Sequence, residues 1–234
     1  MPSPASRAKG RLVIVEDHVL LAEALEMTLT GEGFDVRRID LGLEEAISTA
    51  LLLSTILRAR PQVVLLDLDL GIGGDGVRLI APLARARVHV VVVTASTDRG
   101  RWGQCIRHGA RVVLSKNHPL RDVVTTVRRV QQGFAVMTTA QRDELLRAFF
   151  EQRRVADELA TRLERLTRRE QQVLDHLIEG RTVREIAELA VVAEATVRTQ
   201  VKSILAKLEV SSQLAAVGCA LKARWRPPVG GRRP

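Results

Sequence analysis

The stretch that most constrains this chain is Pro61-Gln62-Val63-Val64-Leu65-Leu66-Asp67-Leu68-Asp69. Four consecutive apolar residues, two of them β-branched, follow a proline and a glutamine and stop at a carboxylate. A run this short and this apolar reads as a strand buried on both faces, the kind found in parallel sheets. Ligands of open α/β sheets bind outside the carboxyl ends of the strands, so Asp67 stands where chemistry occurs. Three other apolar runs end in the same manner. Residues 12–15 end in Glu16-Asp17, residues 88–93 end in Thr94, and residues 112–114 stop just before Lys116. Four strand ends therefore bring three carboxylates, a hydroxyl and an ammonium to one rim.

The segments between these runs have helical spacing. Leu21, Ala24, Leu25, Thr28 and Leu29 predict a helix over 19–29 that Gly31 and Gly33 end. A strand follows at 34–39, and a longer helix over 44–57. Residues 71–76 carry four glycines and read as turns. Helices are expected over 77–86, 98–108 (closed by Gly109) and 120–132. Strand and helix alternate five times, which argues an α/β fold with a doubly wound, five-stranded parallel sheet.

At 234 residues the length suits one or two domains, each able to bury its own core. Net charge is +9, and from Leu166 onward twelve Lys/Arg face seven Asp/Glu. The excess fits a nucleic-acid partner, although a basic surface serves solubility as well. Cys105 and Cys219 stand alone, as small core residues of a reducing compartment would. No apolar run approaches the roughly 20 residues of a membrane span, and no signal peptide is readable. A cytoplasmic protein without a membrane partner is expected. Residues 1–9 read as a loose basic leader, and the Pro/Gly-rich basic residues 226–234 as a disordered tail.

Residues 138–166 lack Gly and Pro and space their apolar residues by threes and fours, predicting an amphipathic helix interrupted near Gln152. Too few heptads are sustained for a coiled coil, so the stretch reads as a linker helix packed on its own domains. Thr167-Arg168-Arg169-Glu170 and Thr182-Val183-Arg184-Glu185 are capping boxes that open two helices. A third helix spans 194–208. At about 100° per residue, Val197, Val201, Ile204, Leu205 and Leu208 share its core side. Ala195, Arg198, Thr199, Lys202 and Ala206 share the opposite side, with Thr196 and Gln200 on the flank. Two cations, a hydroxyl and small residues are what a helix needs to read the major groove. Ala193 is a poor N-cap for it, and Glu209 replaces a glycine at its end. A last helix is expected over 212–225.

Taken together, residues 10 to about 135 resemble the receiver domain of a two-component response regulator. Residues 166 to about 225 resemble the helix-turn-helix domain of the NarL/LuxR (FixJ) type, an all-α unit. The expected division is a receiver over 10–135, a helical linker over 136–165 and a DNA-binding domain over 166–226. The chemistry agrees: an aspartyl phosphate needs a carboxylate nucleophile and a divalent cation beside it. Asp67 would be the phosphoacceptor, with Thr94 and Lys116 on phosphoryl oxygens. Mg2+ suits the oxygen ligands Glu16, Asp17 and Asp67, and the resemblance adds the backbone carbonyl of Asp69. The resemblance also implies phosphorylation by a sensor histidine kinase, a homodimer, double-stranded promoter DNA as partner, and no enzymatic turnover. It picks Arg198, Thr199 and Lys202 as base-facing; Thr196, Gln200 and Arg184 complete the expected DNA contacts.

The chain departs from the family pattern in two places. Leu70-Gly71 stands where a Met-Pro pair is usual, and Val113 replaces an aromatic residue three before Lys116. That ring normally turns inward as the threonine shifts, so phosphorylation chemistry is better supported than the usual transmission of its signal. A phosphorylation-independent regulator of the same architecture is one alternative. A Mg2+-dependent phosphatase using Asp67-Leu68-Asp69 as nucleophile and general acid is another, although that motif usually lies on the first strand.

Overall fold

A computed structural model describes residues 9–41, 48–71 and 74–225. The chain forms two compact units, Met1–Phe150 and Glu151–Pro234.

In the first unit, strands β1 (Lys9–Val15), β2 (Phe34–Arg38), β3 (Val63–Leu66), β4 (His89–Thr94) and β5 (Val112–Ser115) alternate with helices α1 (Val19–Gly31), α2 (Thr49–Arg58), α3 (Val77–Arg85), α4 (Arg99–Arg107) and α5 (Leu120–Gln131). All pairings are parallel, in the order β2-β1-β3-β4-β5. Successive strand residues point to opposite faces, and the core divides accordingly. Val13, Val15, Val64, Leu66, Val90 and Val92 pack with Leu52, Ile56, Ile80, Leu83 and Ile106 of α2, α3 and α4. Leu12, Ile14, Val63, Leu65, Val91 and Val93 pack with Leu25, Leu29, Val123, Val127 and Val130 of α1 and α5. The apolar run at 63–66 is thus apolar throughout because both of its faces are covered.

Helix α2 begins at Thr49. Extended Ser48 caps it by accepting the Leu51 N–H, so helical spacing starts at Thr49; positions 44–47 of the expected helix lie outside the described residues. Gly31 is the last residue of α1 rather than its stop, and Gly33, at φ 86°, turns the chain.

Helix α6 (Thr139–Glu164) contributes residues to both units. It runs through Gln152 without the expected break. There is no Gly or Pro to stop it, and Arg154 pairs with Glu151 and Glu158 across successive turns. Leu145 is buried in the first core and Leu163 in the second, while Phe150 and Val155 between them are exposed.

The second unit continues with α7 (Arg168–Ile178), α8 (Val183–Ala190), α9 (Glu194–Leu208) and α10 (Gln213–Lys222). Both capping boxes form: Thr167 and Thr182 accept from the N–H of Glu170 and Glu185, whose carboxylates accept from the threonine N–H groups at 2.7 Å. Val173, Leu174, Leu177, Val197, Val201, Ile204 and Leu208 enclose the core with Ala216 and Ala220. Residues 226–234, expected as a tail, lie outside the described residues.

Candidate functional site

Four polar or charged residues are buried among the described residues. Three of them, Glu16, Asp67 and Thr94, stand at the carboxyl ends of β1, β3 and β4; the fourth is Glu170. Strand order changes direction between β1 and β3, where open sheets place their ligands. Asp67 is 2% exposed. Its Oδ1 accepts the Leu68 N–H at 2.6 Å, and its Oδ2 accepts from the Lys116 ammonium at 2.7 Å. The same ammonium donates to Glu16 Oε1 at 2.7 Å. One cation shared by two buried carboxylates offsets a desolvation that neither would tolerate alone. Burial raises the pKa of Glu16, and its bonds to Lys116 and the His18 N–H offset this only in part. For Lys116, burial works toward a lower pKa, but the bonds to Asp67 and Glu16 outweigh it and hold the pKa raised.

Asp17 is half-buried beside them. His18, which the spacing did not single out, also faces this rim. Its Nδ1 lies 3.0 Å from Glu16 Oε1, 2.8 Å from Asp17 Oδ1 and 3.3 Å from Lys116 Nζ. The hydrogen bond to Glu16 is the main reason its pKa is raised. One ligand atom from each of Glu16, Asp17, His18 and Asp67 lies within 4.8 Å of the others. Three of the four are carboxylate oxygens, a donor set for a hard divalent cation rather than a soft metal.

The loop after Asp67 is tightly fitted. Gly76 donates its N–H to Leu68 O at 2.8 Å, and a Cβ on Gly76 would stand 2.1 Å from Asp67 O, so only glycine lets the chain return so close. Gly71 has φ 54°, a backbone that the usual proline could not adopt. The Asp69 side chain is engaged by Arg101, whose Nη2 donates to its Oδ1 at 2.8 Å, and to Leu68 O and Asp75 Oδ1 at 3.3 Å. Thr94 Oγ1 accepts the Ser96 N–H at 3.1 Å. Val113 is buried among the residues facing α2, α3 and α4.

In the second unit the expected division of α9 holds. Val197, Val201, Ile204 and Leu208 are buried, whereas Ala195, Arg198, Thr199, Lys202 and Ala206 are exposed. Arg198 pairs with Glu194 at 2.7 Å, one turn back. Thr196 is exposed. Gln200 is half-buried, with its amide oxygen enclosed and unbonded. Arg184, on α8, is exposed and pairs with Glu188 at 3.1 Å. Ala193 caps α9 without a side-chain bond, and Glu209 ends it in a left-handed conformation at φ 57°.

Glu170 does more than complete a capping box. It accepts from Ser203 Oγ at 2.6 Å and from Lys207 Nζ at 2.7 Å, fixing the start of α7 to the far half of α9. Burial works to raise its pKa, but the bonds from Lys207, Ser203 and Thr167 prevail and bring it down to about 2.

Comparison with known proteins agrees with this geometry. Residues 12–128 match the family described as the response regulator receiver domain, and residues 164–220 match the bacterial regulatory proteins of the luxR family. The transcriptional regulatory protein YhcZ of Bacillus subtilis is 28% identical over 215 residues, covering 91% of this chain and 95% of that protein. The glycerol metabolism activator of Pseudomonas putida is 28% identical over 221 residues, covering 88% and 93%. Among solved structures, RcsB of Salmonella enterica serovar Typhimurium bound to a promoter is similar at 21% identity and a TM-score of 0.48, covering 92% of this chain and 98% of that one.

Proposed function

The chain belongs to the two-component response regulators that join a receiver domain to a LuxR-type DNA-binding domain, and on that premise we propose that phosphorylation of Asp67 controls how α9 engages promoter DNA. The observation that carries the proposal is Asp67 itself: a nearly fully buried carboxylate at a strand end, held by Lys116 and flanked by buried Glu16 and Thr94. A buried ion pair is often no more stabilising than apolar residues of similar volume, so a carboxylate buried at this rim favours a chemical role.

In the proposed reaction an Asp67 oxygen attacks the phosphorus of a phosphohistidine on a sensor kinase. The P–O bond forms, the P–N bond breaks, and the imidazole departs. Phosphoryl transfer asks mainly for positioning and charge neutralisation. The Lys116 ammonium neutralises charge developing on phosphoryl oxygens, and the Thr94 hydroxyl donates to another. Glu16, Asp17 and Asp67, with the Asp69 carbonyl, are the residues that would hold Mg2+. That ion supplies further neutralisation when bound. The three neighbouring carboxylates fit a hard cation, with the His18 nitrogen outside its preference.

In the second unit, Arg198, Thr199 and Lys202 would read base edges, and Thr196, Gln200 and Arg184 would take phosphates. The receiver spans 10–135, the linker 136–165 and the DNA-binding domain 166–226. A cytoplasmic homodimer is the working form in this proposal. No single helix among the described residues is long and apolar enough to cross a membrane.

The test is intact-mass analysis after treatment with acetyl phosphate and Mg2+. One added phosphoryl group is expected, absent in Asp67→Asn. The aliphatic, buried Val113 favours a second reading, in which the receiver works through protein contacts alone; a wild-type chain that takes no phosphoryl group at saturating donor would support it. Turnover of a generic phosphate ester, lost in Asp69→Asn, would instead revive the phosphatase reading. The engagement of Asp69 by Arg101 speaks against Asp69 as a general acid.

A further inference from the structure

The segments that lead into three strands of the receiver share one composition. Arg58-Ala59-Arg60 precedes β3, Arg85-Ala86-Arg87 precedes β4, and Arg107-His108-Gly109-Ala110-Arg111 precedes β5. Together they hold six arginines and no Asp or Glu. Because the sheet is parallel, all three lie at its amino end, opposite the Asp67 rim. There β3, β4 and β5 stand side by side, at about 4.8 Å per strand. All six arginines are exposed. Glu32 and Asp35, carboxylates at the same end, are engaged by Arg128 and Arg11. Among the described residues Arg60, Arg85, Arg87, Arg107 and Arg111 pair with no carboxylate. His89, at the start of β4, registers the field: its pKa is lowered, first by burial and then by the Arg111 charge.

Helix dipoles explain part of this arrangement. Arg58, Arg85 and Arg107 stand in the last turns of α2, α3 and α4, where a cation is favoured. Three helix ends carry roughly −0.5 charge each, about a quarter of what six guanidinium groups bring, so the face stays strongly positive. The dipoles do not explain Arg60 and Arg87. Both lie beyond their helices in the left-handed region, at φ 49° and 61°. The turns after α1, α4 and α5 place Gly33, Gly109 and Gly133 in that region. Glycine enters it freely, whereas a residue with a Cβ is strained there. Two arginines held where glycine would be relaxed point to a use for their charge outside the fold.

We infer that this amino-end face of the receiver binds the phosphate backbone of duplex DNA without reading its sequence. The inference deepens the DNA-binding reading and rests on it for the identity of the polyanion. A row of guanidinium groups spread over three strands is too extended for a single phosphate or carboxylate and fits a linear polyanion. Each guanidinium takes phosphate oxygens in pairs through its planar fork. The three segments carry no large apolar side chain to match a lipid surface or an apolar protein groove. Duplex DNA is the polyanion this chain meets through α9, and a duplex held there presents its flanking phosphates at high effective concentration. Contacts of this kind add affinity and salt dependence but no sequence preference.

The test uses the full chain and labelled duplexes longer than the α9 site, one selected from a random pool and one scrambled, titrated at several salt concentrations. Arg60→Gly with Arg87→Gly removes two cations and relaxes both turns, so the variant should unfold at no lower temperature than wild type. Its affinity for both duplexes is expected to fall by about tenfold at low salt, and its salt slope by about two. The ratio of selected to scrambled affinity should not move. Adding Arg111→Gln should lower the slope by about one more. Arg60→Lys with Arg87→Lys keeps the charge and should keep most of the slope. A glycine pair with wild-type affinity and slope, a changed ratio, or a lysine pair as weak as the glycine pair overturns the inference. Labelled poly-glutamate bound more tightly than duplex, and lost with the same arginines, assigns the face to an acidic protein segment instead. In an Arg198→Ala, Lys202→Ala background the residual binding of scrambled duplex should fall again when Arg60 and Arg87 are removed. If that background binds no duplex at all, the face does not hold DNA. If it keeps the full preference for the selected duplex, the α9 reading fails, while a slope that still falls with the arginines upholds the face.

Discussion

The rim around Asp67 and the outer face of α9 are built by opposite means. The rim gathers Glu16, Asp67, Thr94 and Lys116 from four strand ends spread over a hundred residues, buries most of them and holds Glu16, Asp67 and Lys116 by mutual charge. The α9 face takes its residues from one helix, leaves them exposed, and keeps Arg198 on a single ion pair one turn away. In the first, each side chain depends on the others, so removing one strands its partners. In the second, side chains act nearly independently, because solvent screens them and the helix is secured from its other side by Val197, Val201 and Ile204. Cooperative sites fail as a whole, whereas additive ones fail by degrees.

Mutation can sharpen or break this contrast. The largest effect is expected at Lys116. Lys116→Met leaves Glu16 and Asp67 buried without their cation, which should cost the receiver about 3–5 kcal/mol in urea unfolding. Added Mg2+ should restore part of the loss. A variant as stable as wild type in the absence of divalent ions would show that the rim is no more cooperative than the α9 face.

Next comes Glu170, the buried acid of the second unit. Its pKa is held down at about 2 from an ordinary 4.5, and a group depressed on folding stabilises above its unfolded pKa. At pH 7 the full contribution is present, about 3 kcal/mol. It should be lost progressively as pH falls below about 5 toward 2. Urea unfolding followed at Trp225 should show that slope, and Glu170→Gln should flatten it. An unchanged slope in the variant would refute the assignment.

On the exposed face, Arg198→Ala should reduce discrimination between cognate and scrambled duplex by about 1–3 kcal/mol. Lys202→Ala should weaken both duplexes alike and lower the salt slope by about one. If the two substitutions combine non-additively, the face is cooperative after all and the contrast collapses. The smallest change expected is a gain: Ala193→Ser supplies the cap that α9 lacks and should stabilise by about 1 kcal/mol in thermal unfolding, without altering discrimination.

Much of this was readable from the residues. Strand ends were legible because a buried parallel strand is a continuous apolar run, and the first polar residue after it falls on the rim. The α9 face was legible because helical period alone sorts Arg198 and Lys202 from Val197 and Val201. What escaped was pairing across the fold. Nothing in local spacing joins Arg101 to Asp69, thirty-two residues away, or Lys207 to Glu170, thirty-seven away. Gly76 looked like one glycine among several, yet its crowding against Asp67 O depends on where the chain returns. The start of α2 at Thr49 is set by the extended backbone of Ser48, which helical spacing alone does not reveal.

Cys105 lies in α4 without solvent contact, and burial pushes its thiol up to about 12. The other cysteine, Cys219 on α10, is half-buried. At neutral pH a maleimide meets neither access nor thiolate at Cys105, so alkylation must wait for this side of the receiver to open. In a Cys219→Ser chain the labelling rate is then the opening equilibrium multiplied by the reactivity of a free thiol. The molecule contains its own clock for rare excursions of α4, readable by mass without any added probe.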